Sequence, residues 1–370
     1  MINYLIDAHQ DLAWNMLTFG RDYTRPAAET RRLEHGSLAR RENGDTLLGW
    51  PEYQQGRVAL VFATLFAAPL RRKEGEWDTQ VYGGLAQARK LYSAQLDAYH
   101  RLVDEHPDKF QLVLDRTGLE NLLAHWEEPG TDAAGGEPGH PVGLVILMEG
   151  AEAVGEPEEL EQWWARGVRL IGPAWAGTRF CGGTREPGPL TSEGFALLEG
   201  MAELGFTLDI SHMDEKAALQ ALDAYPRQVI ASHSNAAALL KATDSNRFLT
   251  DPVLHSLLER GGIAGVVPFN KFLVWGWRPE DGRQAVTLKH VANQIDYICQ
   301  MAGDARHTGI GSDFDGGFGL QAVPAEIDTI ADVHKLSPLL SERGYTEEDI
   351  AAILGGNWLS LLRQSLPDSA

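Results

Sequence analysis

The chain has 370 residues, 44% of them hydrophobic and 23% charged, a globular composition whose length fits one large barrel or two ordinary domains. Its formal net charge of −20 is spread along the chain, which disfavours nucleic acid and anionic membranes as partners. Only two cysteines occur, Cys181 and Cys299, which excludes a disulfide framework and fits a reducing compartment. An apolar strand starting at about residue 3 leaves no room for a signal peptide, and no apolar run is long enough for a membrane-spanning helix, so a cytoplasmic location is expected.

In chain order, 2–11 reads as a buried strand ending in polar residues, followed by an Arg-, Gly- and Glu-rich excursion at about 16–57 with one short helix. A second strand is predicted over 57–68. A helix over 82–105 has Leu85, Ala88, Leu91, Leu96 and Leu102 at helical spacing. An accessory strand at 110–115 and a helix at 117–126 follow, and the Gly- and Pro-rich stretch 128–141 reads as a mobile surface loop. The third and fourth strands are 142–149 and 168–175, with a helix at 157–166 between them. A Gly-rich loop, 176–191, leads to a helix over 192–204 with Ser192 as N-cap. Strands at 206–212, 228–233, 263–269 and 307–314 complete the set, separated by helices at 214–224, 252–260 and 288–303. Helices at 329–342 and 346–364 close the chain.

Eight apolar strands alternating with helices imply parallel strands covered by helices. The predicted fold is an α/β (β/α)8 barrel in a single domain over 1–370, with its chemistry at the C-terminal strand ends. A doubly wound open sheet is disfavoured because no glycine-rich phosphate loop follows the first strand.

Polar residues sit where those strands end: His9 and Asp11 on the first, Glu149 on the third, His212 on the fifth, His233 on the sixth and Asp313 on the eighth. His9 and Asp11, two apart, share one face if the strand reaches them. Most other histidines fall elsewhere: His100, His106, His255 and His290 in helices or loops, and His307 at the opposite end of its strand. Imidazole and carboxylate donors suit a divalent cation, with Zn²⁺ the commonest choice. Five ligands exceed one tetrahedral site but serve two ions if Glu149 bridges them, an arrangement that activates water for hydrolysis. Asp209 is positioned to orient a neighbour or a histidine, and Asp315 reads as a solvated or capping residue.

These residues resemble the membrane (renal) dipeptidase family, the M19 metallopeptidases of the amidohydrolase-like barrels. The matching segments are DAHQD at 7–11, LMEG at 147–150, DISH at 209–212, ASHS at 231–234, RFLTD at 247–251, IGSDFDGG at 310–317 and GGNWLSLL at 355–362. The resemblance implies two divalent metal ions, most commonly Zn²⁺, bridged by Glu149 and a hydroxide. His9, Asp11 and Glu149 would hold one ion, and Glu149, His212 and His233 the other. Asp313 would pass a proton to the leaving amine, and Arg247 would grip the terminal carboxylate of a dipeptide, including one with a D-residue at its C-terminal position. The family often dimerises, so a homodimer is the implied assembly.

Two departures stand out. Where the family usually has Thr-His-Asn after the fourth strand, this chain has Gly172-Pro173-Ala174-Trp175, with Trp175 in the place of a substrate-contacting His. Phe248 follows Arg247 where Asn is common. The pocket is therefore expected to be larger and more apolar, with Trp175, Trp275 and Trp277 as candidate walls or packing residues. Two alternatives stay open: a related metal-dependent amidohydrolase acting on another amide or ester, and a barrel that keeps its metals only to bind. The deaminase, lactonase and DNase branches fit less well. They open with His-x-His and often bridge their metals through a modified lysine, whereas this chain opens with His-x-Asp and ends no barrel strand in Lys.

Overall fold

Eight parallel strands close into a barrel: β1 (Leu5–Gln10), β2 (Val58–Phe66), β3 (Val142–Glu149), β4 (Val168–Gly172), β5 (Thr207–Asp209), β6 (Val229–Ala231), β7 (Ile263–Val266) and β8 (Thr308–Ile310). The computed structural model describes residues 4–127, 139–241 and 243–368. Each strand pairs with the next, and β8 returns to β1 with Asp7 opposite Ile310. The longest ladder joins β2 and β3, from Leu60↔Gly143 to Phe66↔Glu149. These strands are buried along almost their whole length, which is why their sequences are near-continuous apolar runs. The accessory strand Phe110–Leu112 adds to the outer edge of β3.

Three barrel strands are shorter than their apolar runs. β5, β6 and β8 stop before His212, His233 and Asp313, so these residues stand on the loops just above the ladder. Buried carboxylates take over the role of ladder partners there. Asp209 accepts from the amides of Ser211 (3.1 Å) and Ser232 (2.9 Å) and from both hydroxyls. Asp7 accepts from the Ser312 amide at 2.6 Å and from its hydroxyl, joining the first strand to the loop after the last. Asp11 likewise lies just past β1, at the N-terminus of the helix Leu12–Phe19.

Four short helices occupy the segment where one was expected: Leu12–Phe19, Ala27–Leu33, Leu38–Asn43 and Trp50–Gln55. Asp315, far from solvated, organises them. Its side chain is fully buried and meets Arg21 Nη1 at 2.9 Å, Tyr23 Oη at 3.0 Å, Thr46 Oγ1 at 2.5 Å and the Leu47 amide at 3.0 Å. A fully desolvated carboxylate is tolerable because every side of it has a donor.

The Gly-rich loop before the helix Ser192–Leu204 contains a hairpin, Cys181–Gly183 with Glu186–Leu190. That helix is capped by Thr191, whose hydroxyl accepts from the Gly194 amide at 3.0 Å, and not by Ser192. Near the C-terminus, Asn357 and Trp358 donate to the carbonyls of Thr308 and Ile310, so the GGNW segment packs on β8 as structure. Residues 128–138, most of the stretch expected to be a mobile loop, lie outside the described residues. Cys181 and Cys299 are buried free thiols. No described helix is long and apolar enough to cross a membrane.

Candidate metal centre

The strand ends bring His9, Asp11, Glu149, His212, His233 and Asp313 together at one mouth of the barrel, with their donor atoms in three overlapping groups. Glu149 is the centre of the arrangement. Its Oε1 lies 3.0 Å from His212 Nε2 and 3.3 Å from His233 Nε2, while Oε2 lies 3.8 Å from His9 Nε2. The two carboxylate oxygens are thus divided between two sets of imidazoles. His9 Nε2 is also 3.9 Å from both Asp11 Oδ2 and Asp313 Oδ1.

The donors fit a pair of cations. Zinc–ligand bonds near 2.0–2.1 Å place tetrahedral donors about 3.3 Å apart. The trio Glu149, His212 and His233 spans 3.0–3.3 Å, with His212 and His233 Nε2 facing each other at 3.0 Å. The His9 group is wider. Both ring nitrogens of His9 and Oε1 of Glu149 are buried without a hydrogen-bond partner, the condition of atoms waiting for a ligand.

Burial shapes the protonation of this cluster. It holds the Glu149 carboxyl well above the usual range, with the charges of Asp11 and Asp313 adding to the effect. Burial likewise raises Asp11 to about 6 and holds Asp313 high, the latter helped by Asp11. The same burial lowers His9, His212 and His233, and the positive charge of Arg247 lowers each further. Neutral imidazoles and desolvated carboxylates are the forms a divalent cation stabilises.

A surrounding layer orients the donors. Thr64 donates to Asp11 Oδ1 at 2.5 Å. His233 Nδ1 meets Ser232 Oγ at 2.8 Å, and that hydroxyl rests on Asp209 Oδ2 at 2.5 Å, which gives Asp209 the orienting place expected for it. His212 Nδ1 meets Thr184 Oγ1 at 2.9 Å. Asp7 could have been noticed two residues before His9, but nothing in the sequence pointed to Thr64 or Thr184.

Arg247 is 4% exposed, not a surface charge. It donates to the carbonyls of Ser211 (2.9 Å) and His233 (2.7 Å) and to Ser234 Oγ (3.1 Å), binding together the two loops that carry His212 and His233. Its guanidinium lies over Phe272, 5.2 Å from the ring centre. Trp175 lies beside the centre, its ring 6.1 Å from His212 and 5.1 Å from Phe66. Trp275 is exposed and sits edge-on to Phe248. Trp277, also a candidate wall, is instead a buried packing residue whose indole N–H donates to the Gly282 carbonyl at 3.1 Å.

The chain is similar to several known proteins. An uncharacterised protein of Klebsiella pneumoniae from the pqqA 5′ region is 34% identical over 231 residues, covering 60% of this chain and 81% of that protein. Dipeptidase ataJ of Aspergillus terreus is 28% identical over an alignment of 388 positions, covering 97% of this chain and 84% of that protein. The crystal structure of a metallo peptidase from Rhodobacter sphaeroides, liganded with a phosphinate mimic of the dipeptide L-Ala-D-Ala, shares the fold. Its TM-score is 0.76 at 23% identity, and the match covers 99% of this chain and 100% of that one. The family model described as membrane dipeptidase, peptidase family M19, matches residues 3–367, and the chain therefore belongs to that family of metallo-dipeptidases.

Proposed function

We propose that this metallo-dipeptidase works with two divalent cations, Zn²⁺ by the chemistry of its donors, and cleaves the amide bond of dipeptides, including those with a C-terminal D-residue. One barrel domain carries the whole activity. The observation that supports this most is the division of the Glu149 oxygens, Oε1 toward His212 and His233 and Oε2 toward His9. In this reading His9, Asp11 and Glu149 hold one ion, and Glu149, His212 and His233 the other. When bound, the ions supply Lewis-acid polarisation of the scissile carbonyl and a water acidic enough to attack at neutral pH.

The remaining tasks fall to the chain's own side chains. Asp313, at the mouth and partly exposed, takes the proton lost by the attacking water and returns it to the leaving amine. Arg247 holds the substrate's terminal carboxylate through the two N–H groups its bonds to the loops leave free, the buried Nε–H and the second hydrogen of Nη2. Trp175 and Phe66 form an apolar wall beside His212 and keep water from that side of the amide.

The test joins metal analysis of the purified protein with a dipeptide panel that includes C-terminal D-residues. Two ions per chain and turnover are expected. Asp313→Asn should lower kcat by about 10²–10⁴ with metal content unchanged. A metal-free protein, or full activity in His212→Ala, would overturn the reading. Trp175 favours a second reading, a metal-dependent hydrolase of a bulkier amide or ester, because indole donates one hydrogen bond and accepts none. Dipeptides left intact beside a cleaved aryl amide or ester would select it; bound metal with no hydrolysis at all would select a binding barrel.

A further inference from the structure

The three histidines of the centre are supported in three different ways. His233 leans on Ser232 and, through it, on Asp209. His9 has no hydrogen-bond partner on either ring nitrogen. His212 takes its support from outside the barrel, from the two-residue turn Thr184-Arg185 of the hairpin that precedes the helix Ser192–Leu204.

That turn is held in place largely through its own backbone atoms. Gly183 bridges to Met213, the residue after His212, and the Asp214 amide donates to the Gly182 carbonyl at 3.1 Å. The Thr184 amide donates to the Trp175 carbonyl at 2.9 Å. Asn246 clamps the turn from the other side: its Nδ2 donates to the Gly183 carbonyl and to Asp214 Oδ1, both at 2.9 Å, and its Oδ1 accepts from the Arg185 amide at 2.8 Å. A Cβ on Gly183 would stand 2.5 Å from the Ala176 carbonyl oxygen, so the close approach requires glycine there. Further out, Glu186 is paired with Arg71 and Arg72 on the segment after β2. The hydroxyl of Thr184 is thus delivered to His212 by a rigid frame.

We propose that Thr184 is a positioning residue for the metal site formed by Glu149, His212 and His233. Its hydroxyl oxygen accepts the Nδ1–H of His212, which fixes the tautomer and the ring plane so that the Nε2 lone pair faces Glu149. This rests on the two-cation reading above. Groups that orient a ligating imidazole typically contribute 10–100-fold in metal affinity. The Trp175 carbonyl also reaches the His212 ring but is already accepting from the Thr184 amide. A valine at 184 therefore leaves Nδ1–H with only a shared acceptor.

The experiment compares the wild-type chain with Thr184→Val and Thr184→Ser. Zn²⁺ affinities come from competition with a chromophoric chelator, and the ligand field from the absorption spectrum of the Co²⁺-loaded protein. Thr184→Val should bind one of its two ions about 10–100-fold more weakly, with a changed Co²⁺ spectrum. Thr184→Ser, which keeps the hydroxyl, should bind both ions as the wild type does, and it also decides the matter if the valine variant folds poorly. Unchanged affinities and spectrum in Thr184→Val, or a serine variant as impaired as the valine one, overturn the proposal alone. A wild-type chain that binds fewer than two ions overturns both this proposal and the two-cation reading.

Discussion

His212 Nε2 and His233 Nε2 face each other across 3.0 Å, with Glu149 Oε1 within 3.3 Å of both. Each ring has a hydroxyl at its Nδ1; with those hydroxyls accepting the Nδ1–H, both Nε2 atoms are lone pairs aimed at one point. That arrangement is repulsive by itself and favourable around a cation, so the geometry of the centre and its appetite for metal have one cause.

Metal uptake should therefore displace protons, and more of them in mild acid. Burial raises Asp11 to about 6 from an ordinary 3.8, so near pH 6 about half of the metal-free molecules carry a proton there that must leave before Asp11 can ligate. The histidines are lowered well below 6.5 and have little to release. A carboxyl raised in the folded state stabilises it at low pH, and that contribution is lost as pH rises through about 6. Cation binding should accordingly strengthen with pH over this window. Calorimetric titration with Zn²⁺ in two buffers of different ionisation enthalpy should show greater proton release at pH 6 than at pH 8. Equal release at both would contradict it.

Arg247 should resist even conservative exchange. Lysine cannot satisfy two carbonyls and a hydroxyl held in a planar fork, so Arg247→Lys should lose about 2–3 kcal/mol of stability in urea unfolding. If Arg247 also grips the substrate's carboxylate, the exchange should raise KM for dipeptides and leave dipeptide amides unaffected. Equal losses on both would assign Arg247 to scaffolding alone.

Trp175 should set side-chain preference. Trp175→His opens the wall beside His212 and places a hydrogen-bonding ring there. We expect kcat/KM to rise for small polar dipeptides and to fall about tenfold for bulky apolar ones. Steady-state kinetics on a matched panel checks this, and an unchanged ranking would show that Trp175 only packs.

Asp315 should be costly to replace, because it is fully buried among four donors. Asp315→Asn leaves the buried guanidinium of Arg21 with Glu34 as its remaining ion-pair partner. Breaking such a pair costs about 3–5 kcal/mol. Limited proteolysis should then cut first within residues 12–55, ahead of the barrel strands. A variant as resistant as the wild type would show that the excursion has other anchors.

The barrel was legible because its physics is simple: strands buried on both faces must be apolar on both faces, and β2 and β3 are. The cluster at the mouth of the barrel was legible because polar residues end several of these apolar runs at the same face. What escaped notice was held by tertiary contacts. The helices between Leu12 and Gln55 have no strong apolar period, since their fixed point is Asp315, some three hundred residues away. The hairpin Cys181–Gly183 with Glu186–Leu190 carries two prolines and no clean alternation, and it forms because it docks on Met213. Thr184 is an ordinary threonine until the turn sets it against His212.

The closing of β8 onto β1 also sets an order of events during synthesis. His9 and Asp11 are among the first residues made, yet Asp7 cannot find Ser312, nor His9 face Asp313, until the last strand has left the ribosome. Contacts this distant in sequence form late in folding. The barrel therefore closes only once its eighth strand is made, and the loop that carries Asp313 is the last part of the mouth to be set in place.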